Sequence, residues 1–212
     1  MTDAAPARRR GRPPAATSAP GDTRARIMEA AVELFAEKGF HGTGVAEIGD
    51  RAGVQRGALY YHIGSKEELL WEILRDYTEL MLADADRIVA AGEDPVTTLR
   101  LLIHSHVRLI VAHRRQVAIQ LRDVTALTGE RGTQLQDLRD RIQRQWQGTL
   151  DAGAAAGVLR TADHVVTNSL LGMLNTVVLW YRPHGGRTPE EIADILASTV
   201  LDGVRTDPDT KG

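Results

Sequence analysis

Residues 55–66 concentrate hydrogen-bond donors and contain no carboxylate: Gln55, Arg56, Tyr60, Tyr61, His62 and Lys66. An arginine in the first turn of a short helix can make a two-pronged contact to the acceptors of guanine, and a neighbouring glutamine can add a second base contact. Tyr60, Tyr61, His62 and Lys66 suit phosphate oxygens, which position a protein without reading sequence. With Leu59 as inward anchor, a helical step of about 100° per residue turns Gly57, Ala58, Tyr60 and Tyr61 outward. Gly57 and Ala58 are small enough for close approach to a groove. Catalytic chemistry finds no comparable foothold. The chain has no cysteine, so disulfides, thiolate metal sites and a thiol nucleophile are excluded. His104 and His106 are two apart, so on a helix they diverge and cannot share a metal. No nucleophile–base grouping, glycine-rich phosphate loop or zinc spacing is present. No enzyme activity, metal or cofactor is expected.

The elements that would position those donors are helices. Ile27, Ala30, Ala31, Leu34 and Phe35 form one face of an amphipathic helix from about Thr23 to Gly39. A short helix follows over Val45–Ala52, then a turn at Gly53 and a third helix over about 55–62. Gly64 and Ser65 break it. Ser65 to Glu68 matches a capping box and opens a long helix through Leu69, Leu70, Ile73, Tyr77, Leu80, Met81 and Ile88. Breaks near 92–95, 113–115, 128–132, 157–163 and 183–189 leave further helices over about 95–112, 115–127, 132–156, 163–182 and 189–204. The expected fold is all-α with about nine helices. Its parts are a basic arm (1–21), a three-helix domain with a helix-turn-helix (22–65), a larger body (66–206) and a short tail (207–212).

The 212 residues carry a net charge of −2 that conceals an asymmetry. Residues 1–66 hold ten Lys/Arg against seven Asp/Glu, whereas 67–212 hold sixteen against twenty-one. A basic front on an acidic body suggests that only the front meets a polyanion. No apolar run approaches the roughly 20 residues a membrane span needs. No apolar stretch follows Arg8, Arg9 and Arg10, so a secretory leader is not expected and a cytoplasmic location is.

The stretch from Ile27 to Leu70 resembles the DNA-binding domain of the TetR family of transcriptional regulators. Phe35, Gly39, Thr43, Ile48, Ala52-Gly53-Val54, Gly57, Leu59-Tyr60 and Ser65-Lys66-Glu67-Glu68-Leu69 carry the likeness. The resemblance implies a homodimer on a palindromic operator in double-stranded DNA, with Thr43 joining Gln55, Arg56, Gly57, Ala58, Tyr60, Tyr61, His62 and Lys66 at the DNA. It also implies a small effector that releases a repressor. Four positions depart from the family pattern: Gly44 lacks a capping hydroxyl, Ala46 cannot donate, and Gly49 interrupts the second helix. Ile63 replaces a common aromatic. In the arm, Arg10-Gly11-Arg12-Pro13 resembles the core of an AT-hook, whose arginines enter a narrow A·T minor groove. The alternative is a basic tail that raises affinity without sequence preference.

In the body, polar or aromatic residues on apolar segments are the candidates to line an effector pocket: His104, His106, Gln120, Arg122, Trp146, Asn168, Asn175 and Trp180, with Leu171 beside them. Taken alone, each is more simply read as a satisfied core or surface residue than as a ligand contact. Arg122, Arg139, Arg141 and Arg144 could clamp phosphates, although a solvated charged face accounts for them as well. The dimer interface is expected on Gly172 and Trp180, and on the stripe Ile192, Ile195, Leu196, Thr199 and Val200, with Ala193 and Ala197 allowing close approach. A second resemblance, through Arg139, Trp146, Gly153, Gly157, Arg160, Asp163, Trp180-Tyr181-Arg182-Pro183 and Gly185-Gly186, is to TetR regulators that answer to acyl-coenzyme A thioesters in fatty-acid or steroid-ring catabolism. A hydrophobic drug or metabolite is the rival effector. A helical enzyme and a membrane-surface adaptor are rival functions. Steep salt dependence on palindromic DNA would separate a repressor from both.

Overall fold

The computed structural model of the protein describes residues 20–204, and within them every regular element is a helix. Helix α1 spans Pro20–Lys38, α2 Val45–Ala52, α3 Arg56–His62 and α4 Lys66–Ala90; then come α5 Pro95–Ala112 and α6 Arg114–Asp123. A 3-10 turn at Val124–Ala126 leads to α7 Gly129–Ala155, α8 His164–Asn175, α9 Val177–Trp180 and α10 Pro189–Val204.

Local chemistry explains the boundaries. Gly39 (φ 82°) and Gly53 (φ 64°) adopt left-handed backbone at the ends of α1 and α2, a conformation that costs other residues about 1–2 kcal/mol. The capping box forms: Ser65 accepts from the Glu68 amide at 3.1 Å and starts α4. Asp94 does the same for α5 through the Val96 and Thr97 amides. The segment expected as one helix over 163–182 is instead interrupted at Thr176. There the hydroxyl donates to the Met173 carbonyl at 2.7 Å, and the chain tightens to a Leu179-to-Thr176 backbone bond.

Two apolar cores form, and α4 runs through both. Leu69, Leu70, Ile73 and Leu74 join Ile27, Leu34, Phe35, Ile48 and Leu59 in the first. Tyr77, Met81, Leu82, Ala85 and Ile88 join Leu99, Ile103, Trp146, Leu174 and Val200 in the second. The first core therefore does not stop at residue 65; it also takes Ile119, Leu127 and Leu135 from the body. A 25-residue helix is about 37 Å long, enough to serve both.

The four departures from the family pattern have local accounts. Gly44 provides no side-chain cap for α2, and Ala46 is exposed. A Cβ on Gly49 would lie 3.2 Å from the Val54 carbonyl oxygen and 3.3 Å from Leu59, so this glycine lets α2 close on the turn and α3. Ile63 is buried against the first core.

Candidate DNA interface and effector cavity

Helix α3 docks through Leu59, which is fully buried, and presents Gly57, Ala58, Tyr60 and Tyr61 outward. Tyr61 is 86% exposed and stands edge-on to the His62 ring, 5.2 Å between centroids. Gln55, exposed and extended, precedes the helix, and Arg56 is its first residue. These residues share one short helix and its entry. Arg10 and Arg12 lie outside the described residues.

Two residues expected at the DNA are used inside the fold instead. Thr43 is buried, and its hydroxyl donates to the Gly39 and Leu34 carbonyls at 2.8 and 3.2 Å. Lys66 Nζ donates to the carbonyls of Phe40 and Thr43 at 2.9 and 3.1 Å and lies 4.4 Å from the Phe40 ring centroid. Three of the four acceptors, Gly39, Phe40 and Thr43, belong to the connection between α1 and α2, and the fourth, Leu34, lies near the end of α1. Lys66 thereby ties the α1–α2 connection to the start of α4.

A cavity of about 290 Å³ lies in the body between α4, α5, α6, α7 and α8. Tyr77, Met81, Ile142 and Leu171 supply apolar wall; His106, Gln120, Asn168 and Asn175 supply neutral polar groups. His106 and Asn175 are paired at 3.0 Å, and the imidazole stands edge-on to Trp146 at 5.5 Å. Burial pushes the His106 pKa from 6.5 down to about 4, with the Asn175 hydrogen bond opposing. The ring is therefore neutral near pH 7, and its Nε2–H donates to Asn175 Oδ1. Burial likewise raises the Tyr77 phenol, which stays protonated. The Gln143 amide donates to Asn168 Oδ1 at 2.7 Å. Among the described residues, Arg139 is the one arginine that lines this cavity, with Gln136 as its partner at 3.1 Å. An open groove of about 1040 Å³ runs between α1, α4 and the start of α6, and the charged Glu29, Asp76, Arg114 and Arg115 are among the residues that line it. Asp140, which accepts from the Gln136 amide at 2.6 Å, also lines the smaller cavity, and the convergence of polar groups on an apolar wall makes it the better candidate for an effector site.

His106 gives a testable pH dependence. The unfolded chain protonates this ring near 6.5 and the folded protein near 4. The stability it contributes is therefore complete above about pH 6.5 and is lost as pH falls towards 4. Chemical denaturation at pH 7 and pH 5 should show His106 contributing about 2 kcal/mol to the difference. His106→Asn should flatten that dependence, and an unchanged slope would refute the assignment.

The sequence-derived pocket divides. His106, Gln120, Leu171 and Asn175 come together at the cavity, as does Asn168. Trp146 is buried behind His106 and does not line it. His104 faces Asp194 of α10 at 3.2 Å. Arg122 is elsewhere: its guanidinium donates to the Phe35 carbonyl and to the Ala36 carbonyl, capping α1. Buried Asp123 holds it, with Oδ2 3.1 Å from Arg122 Nε and 3.2 Å from the Phe40 amide. Sequence reasoning missed this clamp between α6 and the end of α1; the only signal was an Arg-Asp pair closing an apolar segment. Arg115 adds a link to Glu33 of α1 at 3.3 Å. Sequence reasoning also passed over Tyr77, a stripe residue of α4 that proves to wall the cavity.

The expected dimer stripe divides too. Ile192 and Val200, with Ala193 and Ala197, are buried inside the subunit, where α10 packs on α5. Ile195 and Thr199 face outward, Leu196 is half-buried, and Gly172 lines the cavity. Trp180 and Leu179 are exposed, at 51% and 72%, and Val165 is exposed as well. An apolar stripe needs one partner, and α5 of the same chain supplies it for half of these residues.

A short exposed helix anchored across a tight glycine turn, joined by one long helix to a cavity-bearing body, defines a helix-turn-helix regulator. Comparison with known proteins agrees. Residues 27–73 match the model for bacterial regulatory proteins of the tetR family, and 92–204 the tetracyclin repressor-like C-terminal domain. The HTH-type transcriptional repressor KstR2 of Rhodococcus jostii is 36% identical over 192 residues, covering 89% of this chain and 94% of the relative. Among solved structures, the ketosteroid transcriptional regulator KstR2 of Mycobacterium tuberculosis superposes with a TM-score of 0.81 at 29% identity, covering 87% and 95% of the two chains. AibR, solved with isovaleryl coenzyme A and operator DNA, gives 0.77 at 26% identity, covering 84% and 98%. The chain belongs to the TetR family; it is a ligand-responsive, DNA-binding transcriptional repressor and not an enzyme. No helix among the described residues is long and apolar enough to cross a membrane.

Proposed function

We propose that the chain is a cytoplasmic homodimeric repressor, released from a palindromic operator when a coenzyme A thioester places its acyl group in the cavity walled by Tyr77. Residues 22–65 read DNA, and residues 66–206 bind effector and pair the subunits. Gln55 and Arg56 read bases, while Tyr60, Tyr61 and His62 hold phosphates around the close approach allowed by Gly57 and Ala58. The exposed Trp180, Leu179, Val165 and Ile195, with Thr199 and the edge of Leu196, form the dimer surface; large apolar side chains left exposed on α8, α9 and α10 favour being covered by a partner.

The observation that carries the effector assignment is the wall of the cavity. It is lined by α4, which begins at the reading head, and by Gln120 of α6, which ends in the clamp on α1. A ligand that fits only one setting of these two helices shifts the heads and weakens DNA binding by its differential affinity for the two states, typically about 5- to 150-fold. Coenzyme A is favoured because AibR was solved with such a thioester, and Arg139 at the cavity offers a cation to its phosphates. The KstR2 neighbour is described as a ketosteroid transcriptional regulator, which points towards a ketosteroid-related acyl group. A gel shift on the DNA upstream of the protein's own gene, with and without an acyl-coenzyme A panel, tests this reading. Release by one or more thioesters supports it; a shift that no thioester alters removes the effector class.

Arg10 and Arg12 add an arm contact. Arg10→Ala/Arg12→Ala removes two arginines from each half of the dimer and should lower the slope of log affinity against log salt by roughly 3–4. If the arm enters the minor groove, the loss should be greater on operators flanked by A·T than by G·C. Quantitative gel shifts over a salt series measure both.

A further inference from the structure

The effector cavity and the open groove beside α1 meet at one side chain. Among the described residues, Tyr77 of α4 is the one that lines both the cavity of about 290 Å³ and the groove of about 1040 Å³. The cavity has an outer and an inner end. Gln136, Arg139, Asn168 and Gly172, on α7 and α8, are exposed at its mouth, whereas Tyr77, Met81, His106 and Ile142 are buried at its inner end. Across Tyr77 the groove carries apolar lining from Val32 of α1, Ile73 and Leu80 of α4 and Val111 of α5. The Tyr77 ring packs 5.8 Å from the ring of His113, itself a groove residue. A side chain that borders two cavities and is only 6% exposed fills the space between them.

We propose that Tyr77 is a specificity-determining residue: its ring closes the inner end of the effector cavity and so limits the length of acyl group that the repressor accepts. This rests on the cavity being the effector site, but not on the carrier being coenzyme A. Each methylene that a ligand buries in an apolar site raises affinity about fourfold. The gain ends where the chain meets a packed wall, because forcing further atoms into a filled core is unfavourable. With the ring removed, the cavity runs on into the groove, whose apolar lining can receive the longer chain.

The test uses straight-chain butyryl-, hexanoyl-, octanoyl-, decanoyl- and dodecanoyl-coenzyme A as rulers, with the free carboxylates of the same lengths in parallel. Each is titrated calorimetrically into the full-length wild-type protein, Tyr77→Ala and Tyr77→Phe. In the wild type, affinity should rise about fourfold per methylene over the shorter probes and then level or fall within the series. Tyr77→Ala should carry the rise at least about two carbons further, and Tyr77→Phe, which keeps the ring, should match the wild type. Wild-type affinity that still rises at dodecanoyl would overturn the proposal, and this result needs no variant to fold. A limit that stays in place in Tyr77→Ala, or moves in Tyr77→Phe, would overturn it as well while leaving the coenzyme A reading intact. If the carboxylates show the shifted limit but no thioester binds, the coenzyme A reading fails and the role of Tyr77 stands. If the wild type binds no probe of either kind, both fall.

Discussion

Arg56→Ala is expected to abolish most sequence-specific binding while leaving nonspecific binding nearly intact. A bidentate arginine–guanine contact discriminates by about 1–3 kcal/mol, and a twofold dimer loses it at both half-sites, roughly 2–6 kcal/mol in all. Affinity for the operator should therefore fall by roughly 30-fold to more than a thousandfold. Affinity for unrelated duplex at low salt should change little, because one cation among many phosphate contacts is lost. Competition gel shifts with specific and nonspecific duplex measure both. An equal loss on the two DNAs would make Arg56 a phosphate contact and move base reading elsewhere on α3, with Gln55 the next candidate.

Leu59→Ala should disable the reading head by a different route. Leu59 is fully buried and is the inward anchor of a seven-residue helix. Truncating a buried leucine costs about 2–5 kcal/mol, which a helix this short cannot recover from its own hydrogen bonds. Operator binding should be lost, while the body keeps its fold and its dimer. The second core, centred on Trp146, Ile103 and Leu174, contains no residue of α3. Hydrogen exchange should show deprotection confined to residues 45–63, and size exclusion should show an unchanged dimer. Global unfolding would instead mean that the two cores, joined along α4, act as one cooperative unit.

The helical skeleton was legible because its punctuation is local. Gly39, Gly53 and the Ser65–Glu68 capping box end and begin helices through their own backbone and side-chain chemistry, and the outward face of α3 follows from one anchor, Leu59. What sequence could not resolve were choices between partners. A hydroxyl and an ammonium beside a helix-turn-helix suit a phosphate or a stranded carbonyl equally, and Thr43 and Lys66 took the carbonyls. Arg122 resembled a phosphate clamp, yet 87 residues separate it from the Phe35 carbonyl it caps, a distance no periodicity encodes. Ile192 and Val200 belong to a stripe wide enough for two neighbours, and only the packing of α10 on α5 decides which side each residue faces. Gln120, by contrast, was marked by its polarity on an apolar segment, and it does line the cavity.

The central claim is that two α3 helices, related by a twofold axis, enter successive major grooves on one face of the duplex. It is tested most directly by measuring affinity for operators whose half-sites are separated by inserted DNA. Inserting about five base pairs turns one half-site to the opposite face and should drop affinity towards the nonspecific level, at least about a hundredfold. If affinity is indifferent to the insertion, each head reads DNA on its own and the twofold arrangement is refuted.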